Sequence, residues 1–184
     1  MNHLSKRYMF LDRDGVINED NGYVHTPDEF KFKEGIIEFL INSQKLGFSF
    51  IIITNQSGIG RGLYTEQDFH LLTEWMYKEL IKNNISILDT FFCPFHPVFG
   101  KGAYKQKSFD RKPAPGMILK AAKKYNINLK ESFLIGDRSS DIEAGMEADI
   151  GNIFFLNNKK YNFDKRLFNK CTRIDHLDDF FEFI

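Results

Sequence analysis

Short apolar runs that read as strands covered on both faces alternate along this chain with stretches of helical spacing. That alternation restricts the fold more than any other feature. Phe48-Ser49-Phe50-Ile51-Ile52-Ile53 is a continuous β-branched and aromatic run, as expected of a strand buried on both faces. Tyr8–Leu11, Thr90–Cys93, Ser132–Ile135 and Ile153–Leu156 are shorter runs of the same kind. Between them, Gly35–Leu46 places Ile36, Ile37, Phe39, Leu40, Ile41 and Leu46 at helical spacing and closes on Gly47. Thr65-Glu66-Gln67-Asp68 is a weaker form of the capping box. It opens a long helix whose apolar face carries Phe69, Leu72, Trp75, Met76 and Leu80. Pro113 and Pro115 precede a helix over Gly116–Tyr125. A further helix is predicted over Ser140–Ala148, and a short amphipathic one over Leu177–Ile184. Strands and helices in this order imply βαβ units, hence a Rossmann-like, doubly wound parallel α/β sheet.

Composition fits one domain over residues 1–184, with 42% hydrophobic residues to fill a core. The 25 basic and 25 acidic residues cancel, which argues against nucleic acid as a partner. The 20 Phe residues are read as core filler, since no basic run is interleaved with them. Cys93 and Cys171 cannot build a disulfide framework and are expected to be reduced thiols. The longest apolar run, Phe48–Thr54, is far short of the roughly 20 residues of a membrane span. Met1–Arg7 is polar and lacks the apolar stretch of a signal peptide. No membrane contact and a cytoplasmic location are therefore expected.

In an open parallel sheet the functional crevice lies beyond the carboxyl ends of the strands. The first strand ends in Asp12-Arg13-Asp14-Gly15, the second in Thr54-Asn55-Gln56-Ser57-Gly58, the fourth in Gly136-Asp137-Arg138-Ser139-Ser140-Asp141. Arg111-Lys112-Pro113 lies between the latter two. Taken singly these read as an Asx-type turn, a polar loop, a helix N-cap and a solvated basic turn. Together they set several carboxylates, a hydroxyl and a lysine on one rim. Clustered acids repel each other unless a divalent cation joins them, and hard carboxylate oxygens suit Mg²⁺. A cation beside a lysine and a hydroxyl donor suits a phosphoryl group, and an Asp on that rim can attack phosphorus. Gly58-Ile59-Gly60-Arg61-Gly62 does not match a dinucleotide fingerprint, and no P-loop spacing occurs.

Asp12-Arg13-Asp14-Gly15, Thr54-Asn55-Gln56, Lys112 and Gly136-Asp137 resemble the four ordered motifs of the haloacid dehalogenase (HAD) superfamily of phosphohydrolases, over roughly Tyr8 to Leu156. Asn18–His25, Thr54–Gly62 and Arg111–Met117 more narrowly resemble the D-glycero-D-manno-heptose 1,7-bisphosphate 7-phosphatases. These are capless bacterial enzymes of lipopolysaccharide and capsule heptose synthesis, akin to histidinol-phosphate phosphatases. Gly22-Tyr23-Val24-His25 and Ile59-Gly60-Arg61-Gly62 favour the heptose enzymes.

The resemblance implies Asp12 as nucleophile and Mg²⁺ ligand. It implies Asp14 as general acid/base and, through its backbone carbonyl, a second ligand, with Asp137 as the second carboxylate on the metal. Thr54 and Lys112 would hold the phosphoryl oxygens. Asp20, Asn21, Gly22, Tyr23, Asn55, Gln56, Ser57, Arg111 and Arg138 match substrate-contacting positions. Asp141 is either an outer-shell acid or a surface acid of a helix turn.

The implied activity is removal of the 7-phosphate from a small sugar bisphosphate. Histidinol phosphate as substrate, or a non-catalytic phosphosugar-binding module, are the rival readings. Retention of both Asp12 and Asp14 argues against the module, because binding alone needs no nucleophile. The connecting stretches are too short for a cap domain. Specificity is therefore expected from Asp20–His25, Ser57–Tyr64 and Pro97–Arg111, with Arg61, Arg111 and Arg138 as free cations for a second phosphate.

One departure stands out. The family often carries a zinc loop, Cys-x-His followed by Cys-x-Cys. Here the stretch reads Cys93-Pro94-Phe95-His96, then Ser108-Phe109-Asp110. Structural zinc takes four Cys/His ligands, so no zinc is expected, and the Pro97–Asp110 loop must be held by other contacts or be mobile.

Overall fold

The structure, a computed structural model, describes residues 7–158, 160 and 162–184. Most of the polar N-terminal stretch thus lies outside the described residues. Six strands, β1 (Arg7–Leu11), β2 (Phe48–Asn55), β3 (Ile87–Cys93), β4 (Phe133–Gly136), β5 (Asn152–Leu156) and β6 (Thr172–Ile174), form one sheet in the order β3-β2-β1-β4-β5-β6. Every pairing is parallel. The helices are α1 (Ile36–Lys45), α2 (Ser57–Arg61), α3 (Glu66–Lys82), α4 (Gly116–Tyr125) and α5 (Ser139–Glu147).

Alternate residues of each strand feed two cores. Met9, Leu11, Phe50, Ile52, Phe133, Ile135, Phe154 and Leu156 pack with α1 and α3 on one face. Phe10, Ile51, Ile53, Leu134, Ile153 and Phe155 pack with α4 and α5 on the other. Continuous apolar runs are therefore required: each strand must satisfy both faces. Strand order reverses between β1 and β4, the place where a doubly wound sheet opens a crevice at its carboxyl edge. Among the described residues no inserted cap covers that edge, and no helix is long and apolar enough to cross a membrane.

The long helix has the cap that its sequence suggests. Asp68 N donates to Thr65 Oγ1 at 3.1 Å, and Thr65 N donates back to the Asp68 carboxylate at 2.8 Å.

The tail Leu177–Phe183 forms the short helix expected there, in 3₁₀ form. Its apolar residues Leu177, Phe180 and Phe183 recur every third position, which eclipses them on one edge of a 3₁₀ turn. Ser57–Arg61 is a short helix where a loop was read; five residues with two glycines show no periodicity. β6 is only three residues long, too short for a strand signal.

Nine of the 20 Phe residues belong to the first core or pack against it. Phe180 is fully buried, with the rings of Phe154, Phe39, Phe48 and Phe133 at 4.9, 5.4, 5.8 and 5.8 Å. Truncating a buried Phe removes its transfer free energy and leaves a cavity. Phe180→Ala is expected to cost about 3–5 kcal/mol in urea unfolding. A loss below about 1 kcal/mol would show that the tail is not part of the core.

Candidate active site

β1 and β4 are neighbours, so the residues that follow them meet. Asp12 N donates to Ile135 O at 3.1 Å, extending the ladder one step past β1 and fixing the Asp12 backbone. Asp137 leaves β4 alongside. The chain then turns away through Gly15 at φ 98°, a left-handed conformation suited to glycine. A Cβ there would lie 2.0 Å from Asp137 Oδ2. Asp12, Asp137 and Asp141 are all buried and present oxygens within 4.8 Å of one another.

Lys112 is the cation at this cluster. Its backbone is bracketed by one side chain: Asn55 Nδ2 donates to Lys112 O at 3.0 Å, and Lys112 N donates to Asn55 Oδ1 at 3.1 Å. Its ammonium donates to Ile53 O at 2.9 Å and lies 2.8 Å from Asp12 Oδ1 and 2.7 Å from Asp141 Oδ1. Asp141 Oδ1 is buried without a hydrogen-bond partner, so Lys112 meets it through charge and not through a directed bond. Toward a further anion Lys112 likewise acts as a fixed positive charge. Asp141, open between two readings from sequence, is a buried member of the cluster and not a surface acid. It also accepts from Arg138 N at 2.9 Å, capping α5.

Both donors to Asp12, Lys112 Nζ and Arg13 N at 2.7 Å, fall on Oδ1. Among the described residues no donor is placed on Oδ2. Burial, above all, and the nearby Asp141 and Asp137 push the Asp12 carboxyl up to about 8 against the opposing pull of Lys112. Burial and then Asp141 push Asp137 up to about 7. Asp137 Oδ2 accepts from Asn158 Nδ2 at 2.7 Å, while Asp137 Oδ1 is buried without a hydrogen-bond partner. Three buried acids, one ammonium and an orphaned carboxylate oxygen suit a hard divalent cation.

Asp14 is held apart from this cluster. Its Oδ1 accepts from Arg13 Nη2 at 2.9 Å and Asn18 Nδ2 at 3.0 Å, and its Oδ2 from Gln56 Nε2 at 2.9 Å. Thr54 Oγ1 accepts from the same Gln56 nitrogen at 2.8 Å, which leaves the hydroxyl proton of Thr54 free to donate.

Above these groups opens a cleft of about 570 Å³. Of the residues singled out from sequence, Asp12, Asp14, Asp20, Gly22, Tyr23, Thr54, Asn55, Gln56, Ser57, Arg111, Lys112 and Arg138 line it. Asp137 lies beneath, in the acid cluster. Asn21 is exposed and does not line the cleft. Arg138 is not a free cation, since its Nη2 lies 2.6 Å from Asp20 Oδ2. Arg61 lies over the rings of Phe99 at 4.4 Å and Tyr23 at 5.7 Å. Arg111 is half-buried, with Nη1 donating to Phe95 O at 3.3 Å. Sequence reasoning assigned no role to Asn18, Asn158 or Tyr64. They act through side-chain contacts, Asn18 with Asp14, Tyr64 with Gln56 and Asn158 with Asp137, that no motif spacing announces.

A family profile described as HAD-hydrolase-like matches residues 109–173. A D-glycero-alpha-D-manno-heptose-1,7-bisphosphate 7-phosphatase of Burkholderia mallei is 45% identical over 153 residues, 83% of this chain and 81% of that protein. The chain belongs to the heptose-bisphosphate phosphatase family of the HAD superfamily. Another member, a D-glycero-beta-D-manno-heptose-1,7-bisphosphate 7-phosphatase of Escherichia coli K12, is 41% identical over 143 residues, 78% of this chain and 75% of that protein. The fold is shared with the D,D-heptose 1,7-bisphosphate phosphatase of B. bronchiseptica, solved with magnesium and phosphate. Their TM-score is 0.80 at 23% identity, covering 96% and 98% of the two chains.

Within this HAD phosphatase the Pro97–Asp110 loop is knitted by hydrogen bonds. His96 Nδ1 accepts from Val98 N and Phe99 N, both at 3.1 Å, so its proton belongs on Nε2. His96 N donates to Tyr104 O at 3.1 Å, Gly100 N to His96 O at 3.1 Å, and Lys101 N to Gly60 O at 2.8 Å. Tyr104 Oη donates to Glu66 Oε1 at 2.9 Å, tying the loop to α3. A metal on His96 Nδ1 would have to displace two backbone donors. Metal analysis of protein purified without chelator is expected to find far less than one zinc per chain. A stoichiometric zinc that Cys93→Ser removes would contradict this.

The acid cluster predicts a pH dependence. Asp12 and Asp137 retain protons up to about pH 8 and 7 in the cation-free fold. In an unfolded chain they lose them near pH 4. Between those limits the folded state binds more protons, so stability falls as pH rises. The Tm of chelated protein is expected to drop from pH 5 to pH 8, and Mg²⁺ to raise Tm more at pH 8 than at pH 5. Equal Mg²⁺ shifts at both pH values would show that these carboxylates are not its ligands.

Proposed function

We propose that this chain is a Mg²⁺-dependent phosphatase that removes the 7-phosphate of D-glycero-D-manno-heptose 1,7-bisphosphate through an aspartyl-phosphate. The observation that carries this reading is the contrast between two carboxylates on one strand end. Asp12 is fixed through Oδ1 with Oδ2 left open, and Asp14 is held separately by Arg13, Asn18 and Gln56. The names borne by its relatives supply the substrate. The 1–184 chain acts as one domain in this reading. A cytoplasmic setting accords with the free Cys93 and Cys171.

Asp12 and Asp137 through their carboxylates, and Asp14 through its backbone carbonyl, are the residues that would hold Mg²⁺. When bound, the cation neutralises charge on the phosphoryl oxygens and on the acid cluster. Asp12 Oδ2 attacks phosphorus as the bond to the leaving oxygen breaks, and protonated Asp14 gives its proton to that oxygen. Asp14, now ionised, takes a proton from the water that attacks the aspartyl-phosphate. That step releases inorganic phosphate and restores Asp12. Lys112 stabilises the equatorial charge from its fixed position, and Thr54 donates its hydroxyl proton. Asp20, Gly22, Tyr23, Asn55, Gln56, Ser57, Arg111 and Arg138, which line the cleft, are assigned to the substrate, and Asn21, which does not, is left out. The Arg138–Asp20 pair frames one side of the cleft, and Arg111 offers the guanidinium fork on the other.

Phosphate release from both anomers of heptose 1,7-bisphosphate, beside histidinol phosphate, tests the assignment. The heptose substrates are expected to win, and preference for histidinol phosphate would overturn it. Asp12→Asn should abolish turnover, because an amide is a poor nucleophile. Near-normal release by that variant would rule out the covalent route. Arg111→Ala should lower kcat/KM for the bisphosphate by about ten- to a hundredfold, the loss of one charge-assisted bond. A monophosphate lacking the second anion should lose much less, whereas Lys112→Ala should harm both alike. Equal losses in Arg111→Ala would remove Arg111 from recognition of the second phosphate.

A further inference from the structure

Tyr64 lines the cleft and is buried, yet the reaction sequence above gives it no part. Its hydroxyl donates to Gln56 Oε1 at 2.5 Å. The same amide donates from Nε2 to Asp14 Oδ2 at 2.9 Å and to Thr54 Oγ1 at 2.8 Å. We propose that Tyr64 is a positioning residue for the reaction: its hydroxyl fixes which way the Gln56 amide faces, and the amide in turn orients Asp14 for proton transfer. This rests on the reading of Asp14 as general acid.

The argument is one of donors and acceptors. The single proton that Asp14 carries in this step goes to the leaving oxygen, so toward Gln56 the carboxyl only accepts, and the nitrogen of Gln56 must face it. The amide oxygen then points the other way, into buried surroundings where it needs a donor. Tyr64 Oη is that donor. Burial pushes the Tyr64 phenol well above its ordinary range, so it keeps its proton and remains a donor at every working pH.

The ring is held on two sides. His25 stacks on it at 4.9 Å with an interplanar angle of 8°. Opposite, Gly58 makes room: a Cβ there would lie 2.2 Å from Tyr64 Cε1. Without the hydroxyl, nothing distinguishes the two ends of the Gln56 amide except Asp14 and Thr54 themselves. A turned amide sets its oxygen against the carboxylate and drives Asp14 out of place. The consequence falls on proton delivery to the leaving oxygen, not on substrate affinity.

Leaving groups read this out directly. A sugar alkoxide needs a proton as its bond to phosphorus breaks, whereas 4-nitrophenolate leaves without one. kcat/KM covers the steps through formation of the aspartyl-phosphate. Tyr64→Phe is expected to lower kcat/KM for heptose 1,7-bisphosphate about fivefold, the worth of one hydrogen bond. The effect should lie in kcat rather than KM, with less than a twofold change for 4-nitrophenyl phosphate and an unchanged Tm. If Tyr64 acts through the amide, adding Tyr64→Phe to Gln56→Ala should bring no further loss.

Equal losses on both substrates, no loss on either, or additive losses in the double variant would overturn the proposal. Asp14→Asn separates the two levels. If it shows the leaving-group contrast and Tyr64→Phe does not, only the role of Tyr64 fails. If Asp14→Asn itself lowers kcat/KM alike for both substrates, the general-acid reading fails.

Discussion

The Lys112 ammonium, buried between Asp12 and Asp141, is the interaction on which the rest of the site depends. It joins three separate parts of the chain: the end of β1 through Asp12, the end of β2 through Ile53 O, and the first turn of α5 through Asp141. A buried carboxylate without a partner would be costly, so Lys112 is what allows these acids to sit under the sheet edge. Yet it does not balance them. Three carboxylates share one positive charge, and the excess appears as the raised proton affinity of Asp12 and Asp137. The same excess makes the place suited to a divalent cation and then to a phosphoryl group.

The sheet makes this arrangement rigid. Each central strand is packed on both faces, and the neighbouring ends of β1 and β4 are fixed by the parallel ladder that runs into Asp12. Chemistry is thereby assigned to the sheet edge, while recognition falls to the loops above it. Tyr23 and Arg111 come from loops and Arg61 from the end of α2, and all three line one cleft. This division explains how a HAD phosphatase without a cap can still enclose a small substrate.

Much of this was legible in the sequence because the strands are fully buried. Their unbroken apolar character marked five of the six, and the ends of β1, β2 and β4 carried Asp12, Thr54 and Asp137 to the expected edge. What escaped notice depended on contacts between distant residues. The partners of Arg138 and Asp137 are Asp20 and Asn158, and no spacing rule connects them. Asp141 could be read as a surface cap because an Asp in the first turn of a helix is normal there; only the placement of Lys112 shows it to be a buried counter-ion. α2 and β6 lacked the length for a periodic signal. The tail helix was legible but its 3₁₀ form was not, because Leu177, Phe180 and Phe183 suit spacings of three and of about three and a half almost equally.

The bracket formed by Asn55 around the Lys112 backbone has an evolutionary consequence. Its two hydrogen bonds staple positions 57 residues apart, so Lys112 is registered against β2 rather than against the chain that leads up to it. The 97–110 loop, which lies between them outside the sheet, can change in length or sequence while Lys112 stays in place. A lineage with this staple can exchange metal-held loops for hydrogen-bonded ones, and one substrate for another, without rebuilding its chemistry.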